Sequence, residues 1–226
     1  NKKEKLKDEQ MKLINPSVEL IAQTPGLEGI YKQVERVGRV CYKSEDKITE
    51  DSAKPFVERM VKMQHYAMLE HGTVYLAAPY NNEDLLFWKV ANSPYSKGVC
   101  DDKSNLLCLT TNLRVIAELN AWEVIDKYLC EPTETHARRI CLKFTTSIGV
   151  SREFNRHRTA SIAEQSTRYC NYTKDKFNNE LTFIKPSWLN IPTGHYAYWD
   201  GDWYDVNEMK IQLPGEEHKD IDAFLW

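Results

Sequence analysis

Apolar residues recur at helical spacing through the first half of the chain and thin into short mixed runs in the second. Residues 28–41 carry Ile30, Val34, Val37 and Val40 among charged neighbours, which predicts an amphipathic helix. A second helix opens at Glu50-Asp51-Ser52-Ala53-Lys54 and runs through Phe56, Met60 and Met63 to about Gln64. Val18–Ala22 alternates weakly, like a short strand, before Pro25-Gly26 breaks it, and Thr73–Ala78 is a run of β-formers stopped by Pro79. Residues 1–12 are almost wholly polar or charged and read as a frayed tail. Residues 80–102, interrupted by Pro94 and Gly98, read as loop with a short helix around Leu85–Val90. Thr111 is placed to cap a long helix over 112–129, whose Leu113, Ile116, Ala117, Val124, Ile125 and Tyr128 make one apolar side, with Pro132 beyond its end. Residues 141–148 resemble a strand, Gly149 a break, and Val150–Asn155 the start of another helix. Leu181–Ile184 is a further strand, and the remainder is short and aromatic up to an apparent helix start at Asp220.

This alternation predicts an α+β fold: a mixed sheet, with strands near Val74 and Phe144, packed with amphipathic helices. The length, 226 residues, and the lack of repeats or a Gly/Ser- or Pro-rich linker predict a single domain over 1–226, in which the polar stretch from Tyr80 to about Asp102 reads as an insertion. A net charge of −3 and a pI of 6.1 argue against a protein that coats nucleic acid. No apolar run approaches the roughly 20 residues of a membrane span, and the mixed-charge start is not a signal peptide, so a soluble, cytoplasmic protein with no membrane partner is expected. The six cysteines include no C-x-x-C pair and read as reduced thiols, and the histidines show no metal-binding spacing, so no metal is expected.

Residues 156–169 change the picture. Arg156-His157-Arg158, Ser161, Glu164, Ser166, Arg168 and Tyr169 concentrate cations and hydroxyls in fourteen positions. Guanidinium forks match phosphate oxygens bidentately, and hydroxyls and backbone N–H groups complete a cradle, so the run predicts binding of a nucleotide or a phosphate-bearing cofactor. A helix through 150–158 and a second helical segment over 161–169 would pair Glu153 with His157 and align Arg152 with Arg156. The plainer alternative is a solvated face of ion pairs. The flanking strand and Ala160, Ile162 and Ala163 instead predict cations at the rim of a core, where a bound anion compensates them.

The same residues carry a resemblance. Arg-His-Arg-x-x-Ser-x-x-x-x-Ser-x-Arg-Tyr, here Arg156 to Tyr169, resembles the signature of the flavin-dependent thymidylate synthases. His65-Tyr66-Ala67-Met68-Leu69-Glu70-His71 is similar to that family's H-x-[ST]-x-x-E-H segment, and Arg39-Val40-Cys41 to its Arg-x-Ser. The resemblance implies reductive methylation of dUMP to dTMP, with methylenetetrahydrofolate as carbon donor, FAD as hydride carrier and NADPH as reductant. It also implies a homotetramer with shared active sites, and residues 80–138 as a family-variable insertion. Carried over by position, His65, Arg156, His157, Arg158 and Glu164 would hold FAD, while Glu153, Arg156, Glu164, Gln165, Ser166 and Arg168 would form the dUMP shell. No residue is assigned as catalytic: no cysteine need attack the ring, and Ser166 reads as a hydrogen-bonding serine rather than a nucleophile. His65 and His71 each have a plainer reading as core histidines. Ala67 and Cys41 stand where the family has hydroxyls, and Ala163 where many members have asparagine. The family's C-terminal arginines have no counterpart before Trp226, which predicts a fragment; a chain truly ending there would be a doubtful enzyme. The alternatives are a degenerate FAD-binding relative and a nucleic-acid-binding module gripping phosphates and bases with the arginines and nearby aromatics.

Overall fold

Helix α1 (Gly26–Cys41) sets the frame because Ile30, Val34 and Gly38 fall on one face, and that face is buried. In the computed structural model, which describes residues 10–167, 181–189, 191–199 and 202–205, the chain forms two units. The larger holds residues 20–142 and 157–166; the smaller gathers the described residues of 1–19, 143–156 and 167–226.

In the larger unit α1 packs on α2 (Ala53–Lys62) and on a 3-10 segment, Tyr66–His71. A side chain at Gly38 would meet the Phe56 ring at 2.6 Å, so its absence lets the two helices close. Gly72 does the same for strand β3 (Thr73–Pro79): a Cβ there would lie 2.8 Å from Val34 and 2.9 Å from Ile30. Strands β3, β4 (Lys97–Asp101) and β5 (Leu106–Asn112) form an antiparallel sheet in the order β3-β5-β4. Helices α3 (Leu85–Ala91), α4 (Leu113–Glu118) and α5 (Trp122–Tyr128) complete the unit. Val34, Leu69, Val74, Leu76, Phe87, Leu109 and Ile116 form one continuous core. Burying side chains of this size stabilises the fold by about 1.5–3 kcal/mol each, before the cost of ordering them.

The smaller unit is built on a four-stranded sheet ordered β7 (Leu181–Ile184), β1 (Gln10–Ile14), β8 (Gly194–Trp199), β9 (Asp202–Asp205), with β1 parallel to β7 and antiparallel to β8. Met11, Leu13, Leu189, Ile191 and Tyr196 are its core. Strand β2 (Ser17–Ile21) pairs with β6 (Cys141–Thr145), and helix α6 (Ile148–Phe154) follows.

The α+β class stands, but several elements differ from the sequence reading. Residues 10–12 are strand, not tail, because Met11 and Leu13 alternate inward. The helix over 112–129 is two helices. Asn120 takes a left-handed φ of 49°, and Ala121 N–H donates back to the Ile116 carbonyl at 2.8 Å, a C-terminal stop that asparagine tolerates. Asn112, not Thr111, caps α4 by accepting from Val115 N–H at 3.1 Å. Val74 and Phe144 lie in different sheets, since β6 pairs with β2. Residues 97–101 are strand rather than loop. The second helical segment over 161–169 is absent from 161–167, which are irregular; residues 168 and 169 lie outside the described residues, as does the helix start at Asp220.

Candidate functional site

Three separated stretches of sequence meet in the larger unit. Helix α1 ends at Cys41 because Lys43 turns left-handed, with φ 43°, while the Arg39 carbonyl accepts from the N–H groups of Tyr42 and Ser44. Helix α2 ends similarly: Gln64 has φ 56°, and His65 N–H donates to the Met60 carbonyl at 2.9 Å, which delivers His65 to the 3-10 segment. Loop 157–166 then touches both. Ser161 Oγ donates to Glu70 Oε2 at 2.6 Å, and Ser166 N–H donates to the Cys41 carbonyl at 2.9 Å.

Glu70 is the centre of this arrangement. Its second carboxylate oxygen accepts from Arg114 Nη1, and Arg114 Nε also holds Glu118 at 2.7 Å. These two carboxylates hold the Arg114 guanidinium above its ordinary value. The Glu70 carbonyl accepts from Arg139 Nη2 at 3.1 Å, and Arg139 Nη1 reaches the Thr111 carbonyl at 3.3 Å. Burial lowers the Arg139 value despite nearby Glu70. A cavity of about 470 Å³ opens beside them, lined among others by Gln33, Glu70, His71, Arg139, Cys141 and Ser161. Burial also holds the His71 imidazole below its ordinary value; Glu70 opposes this and Arg139 adds to it. Among the described residues, His71 Nε2 and Gln33 Nε2 are buried with no hydrogen-bond partner.

A buried ion pair stabilises the end of α1. Glu35, 1% exposed, accepts from Arg39 Nε at 3.1 Å and Nη2 at 2.8 Å, and the Arg39 guanidinium lies 5.0 Å from the centre of the Phe56 ring. Cys41 Sγ is 3.9 Å from Met68 Sδ.

The residues expected at the site fall into three groups. Glu164, Gln165 and Ser166 are half-buried on the loop in the larger unit. His65, His157 and Arg158 are exposed, so His65 is not a core histidine, and His157 Nδ1 lies 3.1 Å from Thr159 Oγ1. Glu153 and Arg156 belong to the smaller unit, where they pair with each other at 3.3 Å and are exposed. The expectation that these cations sit at the rim of a core is therefore corrected: α6 buries none of its residues, and Arg156 is 80% exposed. The pairings expected of a longer helix, Glu153 with His157 and Arg152 with Arg156, give way to the i,i+3 pair because α6 stops at Phe154. Arg168 lies outside the described residues. Glu35, Arg114 and Arg139 were not singled out by sequence reasoning. Only Glu35 had a local signal, its i,i+4 spacing from Arg39; Arg114 and Arg139 reach Glu70 through the fold.

An α+β chain that presents a cationic loop on a carboxylate-centred scaffold defines the class. The comparison with known families adds one finding: residues 124–213, which include the whole 156–169 run, match the family Thy1, thymidylate synthase complementing protein. No curated protein and no solved structure matches the chain.

Proposed function

We propose that the chain carries out flavin-dependent thymidylate synthesis, the reductive methylation of dUMP to dTMP with methylenetetrahydrofolate, FAD and NADPH. The observation that carries this reading is convergence. The three motifs noted separately in the sequence, at 39–41, 65–71 and 156–169, are joined by the bonds from Ser161 to Glu70 and from Ser166 to Cys41. Two of the three motifs lie outside the matched stretch, so their junction with it is independent support.

The donor set suits a phosphorylated flavin. Arg158 has no hydrogen-bond partner among the described residues, and His65 and His157 are exposed imidazoles beside exposed backbone. His65, Arg156, His157, Arg158 and Glu164 would hold FAD, which when bound supplies a hydride. The chain's own contribution is to bind and orient. Exposed arginines neutralise phosphate, and Glu164, Gln165 and Ser166 offer hydrogen-bonding groups to a pyrimidine from a loop fixed at both ends. The apolar residues that α6 leaves in solvent support a homotetramer with shared sites, because such a face is ordinarily covered by another surface.

The exposure of Arg156 and Arg158 favours one rival, a nucleic-acid-binding module. The visible spectrum of purified protein, before and after adding FAD and then dUMP, separates the two. A bound flavin band that shifts with dUMP is expected; a colourless protein with steeply salt-dependent DNA or RNA binding would establish the rival. Arg158→Ala should weaken flavin binding first, and Arg168→Ala should weaken dUMP while sparing flavin. Equal losses of both ligands in each variant would overturn this division of roles.

A further inference from the structure

Buried carboxylates are rare unless something requires them, and Glu35 is buried with both oxygens engaged. One oxygen takes the Arg39 guanidinium. The other accepts from Ser52 Oγ at 2.8 Å. Ser52 occupies the N-cap position of α2, where a serine ordinarily turns its hydroxyl to the first free N–H groups of its own helix. Here it makes no such bond: the hydroxyl goes to Glu35 and, as acceptor, to Thr49 N–H at 2.8 Å. The carboxylate thus ties the start of α2 to the last turn of α1. That last turn ends in carbonyls with no partner inside the helix. The Arg39 carbonyl is taken by Ser44 N–H at 3.0 Å, and the Cys41 carbonyl accepts from Ser166 N–H.

We propose that Glu35 is a positioning residue for the Ser166 end of the motif loop, acting through Arg39 and the last turn of α1. This rests on the reading above, in which Ser166 belongs to the dUMP shell. Fixing α1 and α2 to one carboxylate sets where the Cys41 carbonyl stands, and that carbonyl sets where Ser166 stands. Glu35 touches no ligand in this scheme. Its contribution is to narrow the range of positions available to Ser166 before dUMP arrives, so that less ordering accompanies binding.

Two variants test it. Glu35→Gln keeps the volume and removes the charge that holds Arg39; Ser52→Ala keeps the ion pair and removes the link to α2, together with the local bonds of the hydroxyl to Thr49. Hydrogen exchange at the Ser166 amide is compared with exchange at Leu109 and Val74, inside the β3-β5 sheet, and dUMP affinity is read from the flavin band. In Glu35→Gln the Ser166 amide should exchange about tenfold faster and dUMP affinity fall by a similar factor, the scale of one charged hydrogen bond, with sheet amides unchanged. Ser52→Ala should move the same two readouts in the same direction by less. Equal acceleration at all three amides, or lower melting temperatures with Ser166 exchange unchanged, would overturn the proposal as a general loss of stability. Should Glu35→Gln fail to fold, Ser52→Ala decides by the same criteria. Failure of the unaltered protein to bind dUMP would overturn the proposed function, while the exchange result would still decide whether Glu35 anchors Ser166.

Discussion

The 20–142 stretch and residues 143–156 use the same kinds of apolar side chain to opposite ends. In the first, Val34, Leu76 and Leu109 are wholly buried by their own chain. In the second, Ile148, Val150 and Phe154 are 49, 46 and 41% exposed, and the Phe154 ring packs on the Phe144 ring, 4.8 Å away between centres. Buried residues of the first region such as Val34, Leu76 and Leu109 therefore contribute to folding, whereas the exposed apolar residues of the second are available for something else. The cationic motif follows directly after the region that is not self-sufficient. This fits a site assembled on a surface better than one enclosed in a single chain's core.

The contrast is tested hardest at Leu76. Leu76→Ala removes a side chain packed within the main core and should cost about 2–5 kcal/mol in denaturant unfolding, the range for buried leucines. A cost under about 1 kcal/mol would mean that this core is not the one that holds the unit together.

Ser161→Ala should come next. The hydroxyl is the loop's bond to the Glu70 carboxylate, and its loss leaves a half-buried oxygen short of a donor, for about 1–3 kcal/mol. The same variant should loosen residues 157–161 in hydrogen exchange while the β3-β5 sheet stays protected. A stability unchanged from the unaltered protein would show that the loop is not tied down at Glu70.

A smaller effect depends on pH. Folded His71 takes its proton at lower pH than the unfolded chain, because burial disfavours the imidazolium. The stability contributed by keeping it neutral is present above the unfolded value of about 6.5 and is lost as pH falls from there through the lower folded value. Comparing denaturation midpoints at pH 7.5 and pH 5, His71→Asn should show a shallower decline than the unaltered protein. Parallel declines would mean that His71 does not titrate differently in the two states.

Legibility from sequence follows the same divide between regions. Helices α1 and α2 were readable because their apolar faces repeat at helical spacing and are buried by near neighbours. Strand β5 was not: as the central strand it is buried on both faces from Leu107 to Asn112, so it lacks the inward and outward alternation that marks a strand. Strand β1 did alternate, Met11 and Leu13 against Lys12, but the charged run before it masked the signal. The motif's residue types were legible. Their surroundings were not, because Arg114 and Arg139 reach Glu70 from 44 and 69 positions away along the chain. The expected burial of the Arg156 run failed for a related reason. Ile148, Val150 and Phe154 look like core residues in sequence, and nothing local reveals whether their own chain covers them.

Ile148 offers the smallest change to the chain itself and the most direct test of that last point. It is the first residue of α6, after Ser147 at the cap, and its side chain is half in solvent. A carboxylate at this position favours the positive end of the helix, and little buried area is lost, so Ile148→Glu should alter the stability of the isolated chain by no more than about 0.5 kcal/mol. A charge in the middle of an apolar contact between copies is another matter, because it must be desolvated without a partner. If α6 is covered by another subunit, Ile148→Glu should sediment as a smaller species than the unaltered protein, and flavin retention should drop with assembly. If both proteins sediment as single chains and both hold flavin, the exposed apolar face belongs to no interface, and the contrast between the two regions needs a different cause.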